Sequence, residues 1–134
     1  MMNKKYFRLF DANLNRCREG LRVIEDTSRF VLCMNGVYKR VRILRHALDK
    51  LTRGICPELL RYRDSAADAG RKIREGGRKD LRSVLAANFR RVEESLRVLE
   101  EYGKLVSASA GAKFKKIRFE VYTLEKKILR KDIK

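Results

Sequence analysis

The sequence predicts an all-α protein, and three observations carry that prediction. Strand-like alternation is absent, Pro57 is the only proline, and long stretches rich in Leu, Arg, Lys, Glu and Ala run between a few glycine-marked breaks. With 134 residues and 44% apolar composition, residues 1–134 are expected to form one domain around one core.

The first helix is predicted to begin near Asp11, an N-cap residue type, and to stop before Asn35-Gly36. Its Leu14, Cys17, Leu21, Ile24, Ser28 and Val31 alternate in steps of three and four and make one apolar seam. A second helix runs over about 37–53 and ends at Gly54. Pro57 suits the first turn of a short third helix reaching about Tyr62. Residues 64–79, with Gly70, Gly76 and Gly77, are the least helical part. Asp80 caps a fourth helix that reaches about Tyr102, residues 107–111 form a small-residue connector, and a fifth helix spans about 112–130.

An internal repeat organises these elements. Residues 12–26 match residues 87–101 at a constant offset of 75, pairing Asn13 with Asn88, Arg16 with Arg91, Glu19 with Glu94, Arg22 with Arg97 and Glu25 with Glu100. The helices that follow match one residue out of step, 38–43 with 114–119 and 48–50 with 124–126. Repeat halves of about 11–53 and 86–130 thus flank a unique segment of about 54–85. The simplest architecture is a pseudo-twofold bundle of four long helices plus one short helix.

The repeated helix carries charge where a plain amphipathic helix would not. On a wheel of about 100° per residue, Glu25 and Arg18 lie about 20° and about 40° from Leu14. Val23 and Phe30 sit on the far face, and Val98 and Leu105 repeat the pattern. A helix apolar on two opposite faces is expected to be central and mostly buried, with its Arg and Glu residues paired. One reading makes the charges i,i+3 and i,i+4 ties within the bundle, such as Arg16 with Glu19 and Arg22 with Glu25. The other turns the guanidinium groups toward a polyanionic ligand, since the arginine fork binds phosphate bidentately. Retention of Ala-Asn-x-x-Arg-x-x-Glu-x-Leu-Arg-Val-x-Glu on two helices favours the second, because surface ion pairs tolerate reshuffling. Asn13 and Asn88 precede their arginines by three residues, where an amide can orient a ligand or a carboxylate.

The middle segment adds Arg63-Asp64 and Asp68-x-Gly70. Two carboxylates and a glycine in a loop can hold hydrated Mg²⁺ beside a phosphate, or simply form Asx turns and helix caps. Residues 71–82, which include Arg78 and are interrupted by Gly76-Gly77, read as a basic lid over phosphates or as a solvated loop. Arg45-His46 is a further candidate pair, with a packed or capping histidine as the plainer reading.

The 34 Lys and Arg against 17 Asp and Glu give a formal charge of +17, which attracts any polyanion. A basic nucleic-acid-binding bundle is therefore the rival class, although no helix-turn-helix spacing or aromatic stacking platform is present. No apolar run approaches the roughly 20 residues of a membrane helix, and residues 1–10 lack the apolar core of a secretory signal. Cys17, Cys33 and Cys56 are odd in number and widely spaced, as expected of reduced thiols in a cytoplasmic protein rather than a disulfide or zinc framework. There is no P-loop, protein-kinase signature, dinucleotide fingerprint or recognisable nucleophile motif.

The string from Asp11 to Asp26, with Arg29-Phe30, Leu44-Arg45-His46, Arg63-Asp64, Asp68-x-Gly70, and 87–102 with Lys104, resembles one bacterial family over nearly the whole chain. It is similar to the small all-helical domain found alone or fused in front of thiamine-phosphate synthase, understood as a monofunctional hydroxymethylpyrimidine phosphate kinase. The resemblance implies ATP-dependent phosphorylation of hydroxymethylpyrimidine phosphate to its diphosphate in thiamine synthesis, with Mg²⁺. A third class, beside the kinase and the nucleic-acid-binding bundle, is an interaction or regulatory partner of a separate thiamine-phosphate synthase; a homodimer is compatible with it. The synthase reaction itself is expected to belong to the barrel domain that 134 residues leave no room for. Phosphoryl transfer asks mainly for positioning and charge neutralisation, which suits this residue set. In that reading Arg16, Arg22, Arg91 and Arg97 clamp phosphates, joined by Arg45, and Asn13 and Asn88 orient ligand groups. Glu19, Glu25, Glu94 and Glu100 fix the arginines, or one of them takes the attacking proton. Asp64 and Asp68 hold Mg²⁺ with Arg63 nearby, and His46, Gly70 and Arg78 support the site.

Overall fold

The structure, a computed structural model, describes residues 3–55 and 59–133. Four long helices account for most of them: α1 (Phe7–Asp26), α2 (Asn35–Ile55), α3 (Leu81–Gly103) and α4 (Ala108–Leu129). Short 3₁₀ turns lie at Lys4–Tyr6 and Leu59–Tyr62, a π-helical turn at Thr27–Val31, and no strand occurs among the described residues. The architecture is all-helical, as the periodicity predicts. The short third helix is reduced to the turn at Leu59–Tyr62; Cys56 and Pro57 lie outside the described residues.

Local sequence explains the ends. Asp80 is extended and its Oδ1 accepts from Ser83 N at 2.7 Å and from Ser83 Oγ at 2.6 Å, the expected N-cap of α3. Ser107 does the same for α4, accepting from Ala110 N at 3.1 Å, so the small residues after it begin the helix instead of forming a connector. Asp11 is not a cap. α1 already starts at Phe7, and the buried Asp11 carboxylate accepts from Arg63 Nε at 2.8 Å and Nη2 at 2.9 Å. α2 runs straight through Gly54 to Ile55.

α1 and α3 pack on each other at the centre, α2 lies against α1, α4 against α3, and α2 meets α4 over a smaller area. Leu14, Cys17, Leu21, Ile24 and Ser28 of the predicted seam are all buried. Val31 is 62% exposed, because the π turn adds a residue per turn and rotates the chain out of phase after Asp26. The second apolar face is not covered either: Phe30 is 65% exposed and Leu105 58%, since no helix among the described residues packs on the far side of the central pair. The repeated helices are central, as expected, but the expectation that they are mostly buried is corrected on this far face. Phe10 and Phe114 meet edge to face at 5.8 Å across the core, and Phe7 meets Tyr62 at 4.7 Å, fastening the middle segment to α1.

At the α1–α3 crossing Gly20 faces Val92, and Cys17 hydrogen-bonds Ser95. Burial drives the Cys17 thiol up to about 12 despite that bond, so it is an inert packing group.

Candidate functional site

The charges of the repeat sort into two sets by what they touch. The first set ties the helices. Arg45 Nε of α2 donates to Glu25 Oε1 at 3.0 Å, while Arg22 Nη1 reaches Glu25 Oε2 at 3.3 Å and its Nε lies 3.5 Å from Asp26. In the other half Arg118 Nη2 donates to Glu100 Oε1 at 3.1 Å, and Arg97 pairs with Glu100 at 3.3 Å and Glu101 at 3.1 Å. Glu25 and Glu100 are both buried. The Arg22 and Arg97 pairs are the expected i,i+3 and i,i+4 ties, the Arg45 and Arg118 pairs cross between helices, and the expected Arg16–Glu19 tie does not form. The equivalent cations Arg45 and Arg118 stand 73 positions apart, not the 76 at which the α2 and α4 sequences align. The helix following the π turn is thus set about one turn differently against its partner than the sequence match suggests.

The second set faces two clefts. Ala12, Asn15, Arg16 and Glu19 form one face of α1 and line a cleft of about 710 Å³ with Lys5, Arg8, Arg63, Asp64 and Asp68. Their counterparts Ala87, Arg90, Arg91 and Glu94 form the same face of α3 and line a cleft of about 490 Å³ with Glu75, Arg78 and Val98. Asn13 and Arg16 belong to both.

Within the clefts some cations are neutralised and others are not. Arg63 is held bidentately by Asp11, and Arg91 lies 3.2 Å from Glu75. Arg16 has only a long hydrogen bond, 3.4 Å, from Nη1 to Asn13 Oδ1. Arg8 donates to the Asp64 carbonyl at 3.2 Å, and Arg78 to the carbonyls of Gly76 and Gly77 at 3.0 and 3.2 Å. Among the described residues, Arg8, Arg16, Arg78 and Arg90 have no carboxylate within ion-pair distance. Uncompensated guanidinium groups collected around a concavity raise its positive potential and can attract anions.

The sequence-predicted residues fall out as follows. Asn13, Arg16, Glu19, Arg63, Asp64 and Asp68 meet in the first cleft, and Arg78, Arg91 and Glu94 join Asn13 and Arg16 in the second. Arg22, Arg45, Arg97, Glu25 and Glu100 lie in the ion-pair ties and line neither cleft. Asn88 lines neither; its amide donates to the Val84 carbonyl at 2.8 Å, as Asn13 donates to Leu9 at 2.9 Å. His46 is exposed on α2, away from both. Asp64 Oδ1 accepts from Ala67 N at 3.1 Å and Asp68 Oδ1 from Gly70 N at 2.8 Å, the Asx turns of the plainer reading. Both nevertheless line the first cleft. No group of three or more His, Cys, Asp or Glu poised for a metal ion occurs among the described residues. Sequence reasoning missed Lys5 and Arg8, because it began α1 too late, and Arg90, which was visible as the Asn15 mismatch in the repeat.

One position of the repeat changes sign. Arg18 Nη2 pairs with Asp49 at 2.8 Å in the first half, whereas the second half sets Glu93 beside Glu125. Burial first, and then the hydrogen bond shared with Glu125, push the Glu93 carboxyl up to about 8, and its Oε2 is buried without a partner.

Residues 8–127 match the profile of the ThiD2 family. The chain belongs to the ThiD2 family. Similar proteins named thiamine-phosphate synthase occur in Nostoc punctiforme, 44% identical over 126 residues, covering 92% of this chain and 35% of the relative. Those of Synechocystis sp., 44% identical over 125 residues (91% and 36%), and Rhodopirellula baltica, 36% over 124 residues (90% and 33%), bear the same name. The chain spans about a third of the length of these relatives. No solved structure matches it significantly. ThiD2 membership and this shared name put the chain in a thiamine-biosynthesis family. No helix among the described residues of this ThiD2 chain is long and apolar enough to cross a membrane.

Proposed function

We propose that the chain transfers the terminal phosphoryl group of ATP to hydroxymethylpyrimidine phosphate, giving the diphosphate and ADP. The observation that carries this reading is Arg16, a guanidinium without a carboxylate partner on the wall between two clefts. Phosphoryl transfer needs concentrated positive charge at the travelling group more than it needs a nucleophilic side chain. The relatives named thiamine-phosphate synthase supply the pathway, and in this reading the synthase reaction belongs to the part of them that the chain does not span.

In the step, an oxygen of the acceptor phosphate attacks the γ-phosphorus. The bond from that phosphorus to the ADP oxygen breaks, and its electron pair leaves on ADP. The acceptor is a phosphate monoester, whose second ionisation lies at about pH 6, so its attacking oxygen is already anionic. No side chain has to remove a proton. Glu19 and Glu94 then act as acceptors for ligand N–H and O–H groups at the cleft rims. Asp64 and Asp68 line the same cleft, each with one carboxylate oxygen outside its Asx turn, which fits Mg²⁺, a cation held by one or two carboxylates, waters and nucleotide phosphates. Such an ion neutralises β- and γ-phosphate charge when bound. Arg8, Arg16 and Lys5 supply the remaining cations of that cleft.

The test is ADP release coupled to chromatographic detection of the pyrimidine diphosphate. Arg16→Ala is expected to lose roughly 100-fold or more in kcat, comparable to removing a donor at a developing charge. Absence of ATP-dependent product with wild-type protein would overturn the reading. Salt-sensitive binding of arbitrary duplex DNA in its place would favour the nucleic-acid class.

A further inference from the structure

The repeat builds the same helix face twice, yet the two clefts are not chemically alike. Resting on the phosphotransfer reading above, we propose that they divide the substrates: the α1 cleft takes the Mg²⁺-bound nucleotide, the α3 cleft takes the pyrimidine monophosphate, and Arg16 spans the line of transfer between them.

Three differences assign the occupants. Besides Asp11, which Arg63 neutralises, the α1 cleft holds Asp64 and Asp68, each with one carboxylate oxygen outside its Asx turn, which suit a metal–triphosphate but would repel a bare phosphate dianion. Among the described residues the α3 cleft has no aspartate; its carboxylates are Glu75, neutralised by Arg91, and Glu94, against the four cations Arg16, Arg78, Arg90 and Arg91. Where α1 carries Asn15, α3 carries Arg90, which stands with Arg78 beside Arg91, a set matched to a metal-free phosphate. Size agrees, at about 710 Å³ for the first and about 490 Å³ for the second. Ala87 and Val98 offer a pyrimidine ring some apolar surface in the smaller cleft, as Leu9 and Ala12 offer a nucleobase in the larger. Asn13 and Arg16 line both clefts, so one guanidinium can reach anions seated on either side.

Steady-state kinetics on wild type, Arg8→Ala and Arg90→Asn test the assignment; the last variant rewrites the α3 face as the α1 face. Arg8→Ala is expected to raise KM for ATP roughly tenfold or more while KM for the pyrimidine phosphate stays within about twofold, and Arg90→Asn to do the opposite. Both side chains are at the surface, and unchanged melting temperatures verify that each variant is folded. Turnover in wild type with the two effects reversed, or with both variants acting on one substrate alone, overturns the division and leaves the kinase reading standing. No turnover in wild type overturns both.

Discussion

Gly20 of α1 lies so close to α3 that a Cβ built on it would stand 2.6 Å from Val92 Cγ2 and 3.2 Å from the Asn88 carbonyl oxygen. The central crossing therefore depends on a missing methyl group. Gly20→Ala should destabilise the protein by about 1–3 kcal/mol through overpacking. Gly36→Ala, in the first turn of α2 with nothing within 4 Å of its Cβ, should be neutral or stabilising by up to about 1 kcal/mol. Urea denaturation of the two variants, compared with wild type, measures both.

Arg118 and Arg97 share the buried Glu100, whose side chain is 3% exposed. Arg118→Ala removes the closer and more buried partner and should cost about 3 kcal/mol, the low end for stripping a buried carboxylate because Arg97 remains. Replacing the pair together, Arg118→Met with Glu100→Leu, should recover most of that loss. A double-variant stability lower than that of Arg118→Ala alone would show that the pair is more than a mutual neutraliser.

Glu93 gives the fold a pH dependence of definite sign. Its carboxyl is held up at about 8 against an ordinary 4.5, so between these values the folded protein binds the proton and the unfolded chain does not. The resulting stabilisation is complete below about pH 4.5 and is lost as pH rises through about 8. The groups facing it are Glu125 from α4 and Arg90 and Glu94 from α3. Glu93→Gln should flatten the fall in melting temperature between pH 5 and 9. Glu93→Arg, which recreates the Arg18–Asp49 arrangement, should abolish it and raise the melting temperature at pH 8.

The proposed reaction has its own pH signature. With an acceptor already ionised, kcat/KM should rise with pH through about 6, following the substrate's second ionisation, and then stay flat through neutrality. Glu19→Gln should keep that profile even if it lowers the rate. A profile whose acid limb moved in Glu19→Gln or Glu94→Gln would restore a carboxylate to the role of base.

Much of this was legible in the sequence, for reasons that can be named. The duplication of residues 12–26 at 87–101 gave the bundle and its central pair, because steps of three and four leave only one way to bury Leu14, Leu21 and Ile24. Asp80 read correctly because an N-cap acts over a few residues. The same local logic misassigned Asp11, whose partner Arg63 lies 52 residues away. The π turn after Asp26 has no sequence signature in a single chain, so the exposure of Val31 and the α2 register behind Arg45 were illegible. For the candidate site, the repeat flagged Arg16 and Arg91 but not which arginines are already neutralised. That distinction separates Arg16 from Arg22, and it is made by what lies opposite in space.

The crossing of α1 and α3 has one more consequence. Position 17 of the first copy meets the equivalent of position 20 in the second, Ser95, and Val92, the equivalent of position 17, meets Gly20 in return. This reciprocity is what an isologous contact between identical partners requires. The polypeptide thus encloses within itself the interface of a symmetric pair, and covalent linkage of the halves makes its assembly independent of dilution. Freed from having to be identical, each half can carry its own ligand chemistry on the same scaffold, as Asn15 and Arg90 already do.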